Sequence, residues 1–101
     1  MVKLTVKLGL VQQVPLGQGR CFIVDGREIA VFRSRAGRVF AVSNRCPHRQ
    51  GPLAEGVIGG SQVICPLHGH KFDLTTGKGS EAGECVKTYR VWEENGQLML
   101  A

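Results

Sequence analysis

The chain has 101 residues and a net charge of +5, with 43% hydrophobic and 21% charged residues. This length allows one domain, and the composition is that of a folded protein and excludes a disordered tail. No apolar run approaches the roughly 20 residues of a membrane span. Residues 2–8 alternate apolar and polar side chains, which is not the pattern of a signal peptide. We therefore expect a single domain over residues 1–101, with a cytoplasmic location and no membrane association.

The first half of the chain predicts β-strands. The alternation over residues 2–8 indicates one strand, and apolar runs at 21–24, 29–32 and 39–42 indicate three more. Asp25-Gly26 separates two of these runs, and this dipeptide is a strong signal for a tight hairpin turn. The sequence therefore predicts an antiparallel meander.

The residue pattern changes between residues 43 and 83, where Gly and Pro recur and the apolar runs are short. Short strands are predicted at 57–58, 62–64 and 71–74, with one helical turn at 52–55. The chain ends with a predicted hairpin in which Asn95-Gly96 joins strands at 86–92 and 98–100. The fold class is thus all-β, with a base formed by residues 1–42 and 84–101 and a loop-rich subdomain at 43–83.

The loop-rich subdomain contains two pairs of metal-binding residue types. Cys46-Pro47-His48 is followed after 16 residues by Cys65-Pro66-Leu67-His68. The prolines restrict the backbone, and nearby glycines allow each loop to curl around an ion or a cluster. Two such loops facing each other would form a cage of two thiolates and two imidazoles.

Two metal centres use this ligand set. Zinc accepts tetrahedral Cys2His2 sites, but these normally pair Cys with Cys and His with His. A Rieske [2Fe–2S] cluster takes two Cys on one iron and two His on the other. Because each loop supplies one residue of each type, the spacing favours the iron–sulfur cluster. A disulfide between cysteines is disfavoured in a reducing compartment.

The two motifs resemble the Rieske iron–sulfur signature, Cys-x-His followed by Cys-x-x-His, and the likeness covers nearly the whole chain. It implies an antiparallel β-sandwich in which residues 43–83 form the cluster-binding subdomain. It also implies one [2Fe–2S] cluster, with Cys46 and Cys65 on an inner iron and His48 and His68 on an outer iron near the surface. The implied function is one-electron transfer, with no catalytic residues of its own.

Within that family, the run from Cys46 to Gly56, with its pattern His-x-x-Gly-Pro-Leu-x-x-Gly, resembles the small subunit of assimilatory NAD(P)H nitrite reductase. This resemblance implies a role in nitrate assimilation and a siroheme-containing large subunit as partner. The alternative is a free Rieske ferredoxin that accepts electrons from a flavin reductase and delivers them to a ring-hydroxylating oxygenase. In both cases the partner would dock at the tip that carries the histidine ligands.

The resemblance also implies a low reduction potential. High-potential relatives carry an extra Cys in each loop, where this chain has Gly51 and Leu67, and a hydroxyl residue after the second loop, where this chain has His70 and Phe72. Fewer hydrogen bonds to the cluster stabilise its reduced form less. We expect a midpoint of roughly −150 to 0 mV.

The remaining residues of interest have simpler interpretations. Cys21 and Cys85 are predicted to be small buried hydrophobic residues. Basic residues flank the ligand loops and form either a docking rim for an acidic partner or an ordinary solvated surface. No basic stripe with exposed aromatics is present, so nucleic-acid binding is not expected. Phe72 and Trp92 are predicted to be aromatic packing residues. The basic residues that flank the two ligand loops are Arg45, Arg49 and Lys71.

Overall fold

The computed structural model describes residues 5–46, 51–67, 69–81 and 83–101. Within these ranges the regular structure is almost entirely β, as the sequence predicts, with two 3-10 helices at Val11–Gln13 and Leu53–Glu55. The strands are β1 Val6–Leu10, β2 Gln18–Val24, β3 Arg27–Arg33, β4 Val39–Ser43, β5 Val57–Gly59, β6 Gln62–Ile64, β7 Lys71–Asp73, β8 Thr88–Tyr89, β9 Val91–Glu94 and β10 Gln97–Leu100.

The two predicted hairpin turns are confirmed. Asp25 and Asn95 have φ angles of 51° and 53°, and the glycine after each has a φ angle of 77° or 78°. Two successive left-handed residues define the type I′ turn, whose twist matches that of the flanking strands. Asn and Asp tolerate this conformation better than other residues with a side chain, and glycine adopts it freely.

The strands form three antiparallel sheets, with orders β1-β10-β9, β2-β3-β4-β8 and β5-β6-β7. The four-stranded sheet is the central layer, because side chains on its two faces belong to two separate buried clusters. We call the cluster shared with β1, β9 and β10 the aliphatic face; its buried members are Val11, Val14, Ile29, Val31, Ala41, Leu98 and Leu100. We call the other cluster the cysteine face; its buried members are Ala30, Phe32, Phe40, Val42, Cys46, Leu53, Ala54, Val63, Cys65, Phe72, Leu74 and Val86.

Strand β3 shows why the sheet is central. Ile29 and Val31 point to the aliphatic face, and Ala30 and Phe32 point to the cysteine face. Successive side chains of a strand alternate between faces, so a strand covered on both sides has a continuous apolar run. All four side chains are at most 2% exposed. The uninterrupted run at 29–32 therefore corresponds to a strand that is covered on both faces.

Two strand boundaries differ from the sequence prediction. Strand β2 begins at Gln18 rather than at residue 21, because its pairing with β3 extends to Gln18 and Arg33. Within this extension Gly19 lies directly under the Phe32 ring. A Cβ atom at that position would stand 2.6 Å from the ring carbons. The predicted strand at 86–92 is in fact two strands: β8 pairs with β4, and β9 pairs with β10 in another sheet. The residue pattern around Arg90 does not indicate that the chain passes there from one sheet to another.

The third sheet, β5-β6-β7, lies wholly between residues 43 and 83. The boundaries of the two subdomains stay a prediction. No helix in the described ranges is long and apolar enough to cross a membrane.

Candidate metal centre

The two cysteines of the predicted ligand set lie where loops leave two strands. Cys46 follows β4 by three residues, and Cys65 comes directly after β6. Their exposed fractions are 0% and 1%, and both belong to the cysteine face together with Phe72. Two strands from different sheets therefore deliver two thiols to one apolar region.

Gly51 brings the two loops together. Its carbonyl oxygen accepts a hydrogen bond from the Cys46 amide at 2.8 Å, so the first loop folds back on itself. A Cβ atom on Gly51 would stand 3.0 Å from Cys65 Sγ and 3.0 Å from the Leu67 side chain. The glycine thus lies directly against the second loop, and the absence of a side chain at this position allows the loops to approach.

The second loop is closed by its own backbone. The Cys65 amide donates to the His70 carbonyl oxygen at 2.8 Å, and the Gly69 amide donates to the Cys65 carbonyl oxygen at 3.1 Å. Gly69 has a φ angle of +72°, which favours glycine at this position. The loop is therefore a tight turn whose first residue, Cys65, is buried.

The two predicted histidine ligands, His48 and His68, lie outside the described residues, as does Arg49. The described part of the site fits an iron–sulfur cluster by its donor chemistry. All four cysteines of the chain are described and none forms a disulfide. Thiolates are the ligands that iron–sulfur clusters require. Two thiols buried in an apolar cluster, on loops that touch, are suited to hold one side of such a cluster.

A polar network lies under the first loop. Asn44 is only 3% exposed, and its side-chain amide donates to Glu28 Oε1 at 3.1 Å while its carbonyl oxygen accepts from the Ala54 amide at 2.9 Å. Arg45 donates to Glu28 Oε2 through Nε at 3.1 Å and Nη2 at 3.0 Å. These bonds from Asn44 and Arg45 hold the pKa of the Glu28 carboxyl below its ordinary value of 4.5.

The charges around the loops are mixed in sign. The Arg45 guanidinium is paired with Glu28, and His70 Nδ1 lies 2.8 Å from Glu84 Oε1. Lys71 is exposed. Acidic groups within the chain therefore offset part of the positive charge beside the loops, and the choice between a docking rim and an ordinary solvated surface stays open.

The prediction that Cys21 and Cys85 are buried is wrong, because both are exposed. Strand β2 is an edge strand, and Cys21 pairs with Ala30, so it points to the same side of the sheet but beyond the packed cluster. Burial of part of the thiol raises the pKa of Cys21, and the nearby Glu28 charge adds to this effect. Cys85 lies outside the named strands, where it forms an isolated bridge with Lys78.

The aromatic predictions hold in part. Phe72 is fully buried on the cysteine face, as expected of a packing residue. Trp92 is only partly buried, and the Arg90 guanidinium lies 5.5 Å from the centre of its ring.

The sequence analysis did not single out Glu28 and Asn44, the two side chains of the polar network beside the first loop. The available signal was that Asn44 is a polar residue directly after a strand and two positions before a predicted ligand, Cys46.

The fold and the paired thiols are those of a small iron–sulfur β-protein, and comparison with known proteins gives its family. The Rieske [2Fe-2S] domain family matches residues 5–93. The chain therefore belongs to the Rieske [2Fe-2S] family. It is an electron-transfer protein with one Rieske-type [2Fe-2S] cluster.

Its relatives fall into several functional groups. The ferredoxin component of the naphthalene 1,2-dioxygenase/salicylate 5-hydroxylase systems of Ralstonia sp. is 37% identical over 79 residues, covering 76% of this chain and 75% of the relative. The 4beta-methylsterol monooxygenase of Methylococcus capsulatus is 52% identical over 48 residues, which cover 48% of this chain and only 13% of that longer protein.

Solved structures include ferredoxins and a further group, the small subunits of nitrite reductases. The ferredoxin of carbazole 1,9a-dioxygenase from Nocardioides aromaticivorans has a TM-score of 0.88 and 30% identity, covering 98% of both chains. A Mycobacterium tuberculosis protein provisionally described as an NADH-dependent nitrite reductase small subunit has a TM-score of 0.90 and 21% identity, covering 99% of this chain and 96% of the other. At 21% identity the likeness shows a shared fold.

Proposed function

We propose that Cys46 and Cys65 bind one iron of the cluster and that His48 and His68 bind the other. The observation that carries this proposal is the burial of both thiols on loops that touch at Gly51. The cluster supplies the acceptance and release of one electron. The chain itself supplies an apolar seat that excludes water from the thiolate side and leaves the opposite side for the histidines.

Electron exchange with a partner would take place at the tip formed by the two loops. Leu67, between the two predicted ligands of the second loop, is 59% exposed although it is a large apolar residue. This side chain is available for contact with a partner, and protein interfaces place apolar groups inside a polar rim. We therefore place the redox partner at this tip.

For the partner itself, we propose the siroheme-containing large subunit of an assimilatory NAD(P)H nitrite reductase, with this chain as the small subunit. Support comes from the run between Cys46 and Gly56, which resembles the pattern His-x-x-Gly-Pro-Leu-x-x-Gly of those subunits. In this assembly the chain would remain bound to the large subunit.

The second candidate is a free ferredoxin for a ring-hydroxylating oxygenase. A specific observation favours it: identities of 37% and 30% with ferredoxin components of dioxygenases, over at least three quarters of this chain. A ferredoxin of this kind would bind a flavin reductase and an oxygenase in turn, and only transiently.

Purification of the tagged chain from its native cell, grown with nitrite as nitrogen source, distinguishes the two candidates. A nitrite reductase subunit should co-elute at a fixed ratio with a protein that has the absorption of siroheme, and adding NAD(P)H should reduce nitrite. Elution as a free red-brown protein that transfers electrons to a purified ring-hydroxylating oxygenase would establish the second candidate instead.

The ligand proposal is tested by spectroscopy on the purified chain. Dithionite reduction should give the EPR signal of a Rieske cluster, and redox titration should give a midpoint of roughly −150 to 0 mV. A colourless sample without an EPR signal would contradict the ligand set. A midpoint above about +150 mV would contradict the low-potential assignment alone.

A further inference from the structure

Asn44 joins three parts of the chain under the first ligand loop. Its backbone amide donates to the Glu28 carbonyl oxygen at 3.0 Å, and its own carbonyl oxygen accepts from the Leu53 amide at 2.6 Å. Its side chain bonds Glu28 Oε1 on one side and the Ala54 amide on the other. Four hydrogen bonds thus connect one buried residue to strand β3 and to the 3-10 helix that follows the loop.

Arg45 completes the arrangement from the surface. Its guanidinium donates two hydrogen bonds to Glu28 Oε2, and its backbone forms an isolated antiparallel bridge with Pro52. The next residue, Cys46, bonds Gly51 across the loop. The two ends of the loop are therefore held together at consecutive positions, and the Glu28 carboxylate accepts hydrogen bonds from the side chains of both Asn44 and Arg45.

We propose that Glu28 and Asn44 are positioning residues that fix the loop of Cys46 and so determine how firmly the cluster is held and what its electronic environment is. The inference rests on the proposed ligand role of Cys46. Glu28 reaches the loop through its hydrogen bonds with Asn44 and Arg45, the two residues that precede this cysteine. Residues hydrogen-bonded directly to metal ligands commonly change metal affinity about 10–100-fold when they are replaced, and Asn44 and Glu28 act through the backbone that leads to Cys46, so an effect at the lower end is expected.

A merely structural role must be separated from positioning, and Ser34 provides the matched control. Ser34 and Asn44 are the two buried polar residues of the described chain, at 6% and 3% exposed. Ser34 Oγ also accepts a backbone amide, that of Arg38 at 3.1 Å. It lies just beyond the opposite end of β3 from Glu28, so S34A removes a comparable bond far from the cysteine loops.

The first experiment compares N44A with S34A in the purified holoprotein. Iron release to a chelator, followed by bleaching of the cluster absorption, should be about 10-fold faster or more in N44A than in S34A. The EPR g-values and the reduction potential should shift in N44A and should match the wild type in S34A. Equal release rates and unchanged spectra in both variants would overturn the proposal.

The second experiment reverses the donor and the acceptor. In N44D an acidic oxygen replaces the amide that donates to Glu28, and two carboxylates then face each other. The double variant E28Q/N44D keeps the net charge of the wild type and lets the side-chain amide introduced at position 28 donate to the new carboxylate. We expect N44D to release iron faster and the double variant to recover at least half of the lost lifetime.

These variants keep the proposal testable if N44A does not fold. A double variant that is no better than N44D would overturn the positioning role. Failure of the ligand proposal is seen separately, because the wild-type protein itself would then lack the Rieske EPR signal.

Discussion

The two faces of the central sheet are built differently. On the aliphatic face, most buried residues, such as Val31 and Leu98, come from strands, and only Val11 and Val14 among them come from the first 3-10 helix and the residue after it. On the cysteine face, the cover consists of three-residue strands, one 3-10 helix and the loops that carry Cys46 and Cys65. The aliphatic face is therefore the core between two β-sheets, and the cysteine face is the surface on which the loops pack.

Glycines mark the same difference. Gly26 and Gly96 lie in the hairpin turns, where an added Cβ would meet nothing within 4 Å. At Gly19 and Gly51, on the cysteine side, an added Cβ would stand 2.6 Å from Phe32 and 3.0 Å from Cys65 Sγ. In the turns, glycine is needed because it adopts a positive φ angle. At Gly19 and Gly51 it is needed because there is no room for a side chain. With Cys46 and Cys65 as the proposed ligands, the cluster would cross-link the face with the least regular structure and couple metal binding to local stability there.

The largest expected effect comes from removing a thiol on the cysteine face. C46S or C65S should abolish the visible absorption and the EPR signal, because a hydroxyl does not replace a buried thiolate ligand. Hydrogen exchange should then accelerate over residues 51–81 far more than over β1, β9 and β10. Iron content, absorption and exchange mass spectrometry measure these outcomes.

The control for this prediction uses the other two cysteines. C21S and C85S change exposed thiols outside the proposed ligand set, so they should keep the full cluster content. Loss of the cluster in either variant, or its retention in C46S, would contradict the division of the four cysteines into two kinds.

The next prediction compares one large truncation on each face. F32A and L98A each remove a fully buried side chain and should lower the free energy of unfolding by about 3–5 and 2–5 kcal/mol, respectively. Chelator-driven iron release should be faster only in F32A, whose cavity lies on the cysteine face. Similar release from both variants at equal stability would mean that the two faces are not independent.

Part of this contrast could be predicted from the sequence. The run at 29–32 and the two turn dipeptides predict strands and hairpins, because alternation and left-handed turn residues are local properties. The split of residues 86–92 into β8 and β9 could not be predicted, since it depends on which distant strand each half meets. Pairing of non-local strands leaves no periodic signal.

The site shows the same limit. Cys46 and Cys65 are recognisable from their spacing with His and Pro, whatever the fold around them. The exposure of Cys21 was mispredicted because an apolar run does not reveal that its strand lies at a sheet edge. The role of Asn44 depends on Glu28, 16 residues earlier, and only the register of β3 and β4 brings the two together.

A smaller effect is expected from filling the contact between the two loops. G51A should crowd Cys65 Sγ and Leu67 and lower the free energy of unfolding by about 1–3 kcal/mol, with partial loss of cluster. The matched control is G59A, because an added Cβ there meets nothing within 4 Å. Thermal unfolding and iron content should be near wild type in G59A. Equal behaviour of the two variants would contradict the close approach at Gly51.

The smallest effect concerns the reactivity of an exposed thiol beside the positioning residues. Treating the native protein with iodoacetamide should modify Cys21 and Cys85 and leave Cys46 and Cys65 unmodified until the cluster is removed and the chain unfolded. Partial burial, followed by the Glu28 charge, holds the pKa of Cys21 above the ordinary thiol value of 9.0. Because the thiolate is the reactive form, the Cys21 rate should rise with pH up to and beyond pH 9.

The variant E28Q tests the electrostatic part of this shift. Loss of the carboxylate removes one cause that disfavours the Cys21 thiolate, while burial, the larger cause, remains. The pKa of Cys21 should therefore fall only in part, and its alkylation at pH 8 should become about two- to threefold faster. Cys85 in the same sample is the internal reference, measured by peptide mass spectrometry. A slower Cys21, or an equal change at Cys85, would show that Glu28 does not control this thiol.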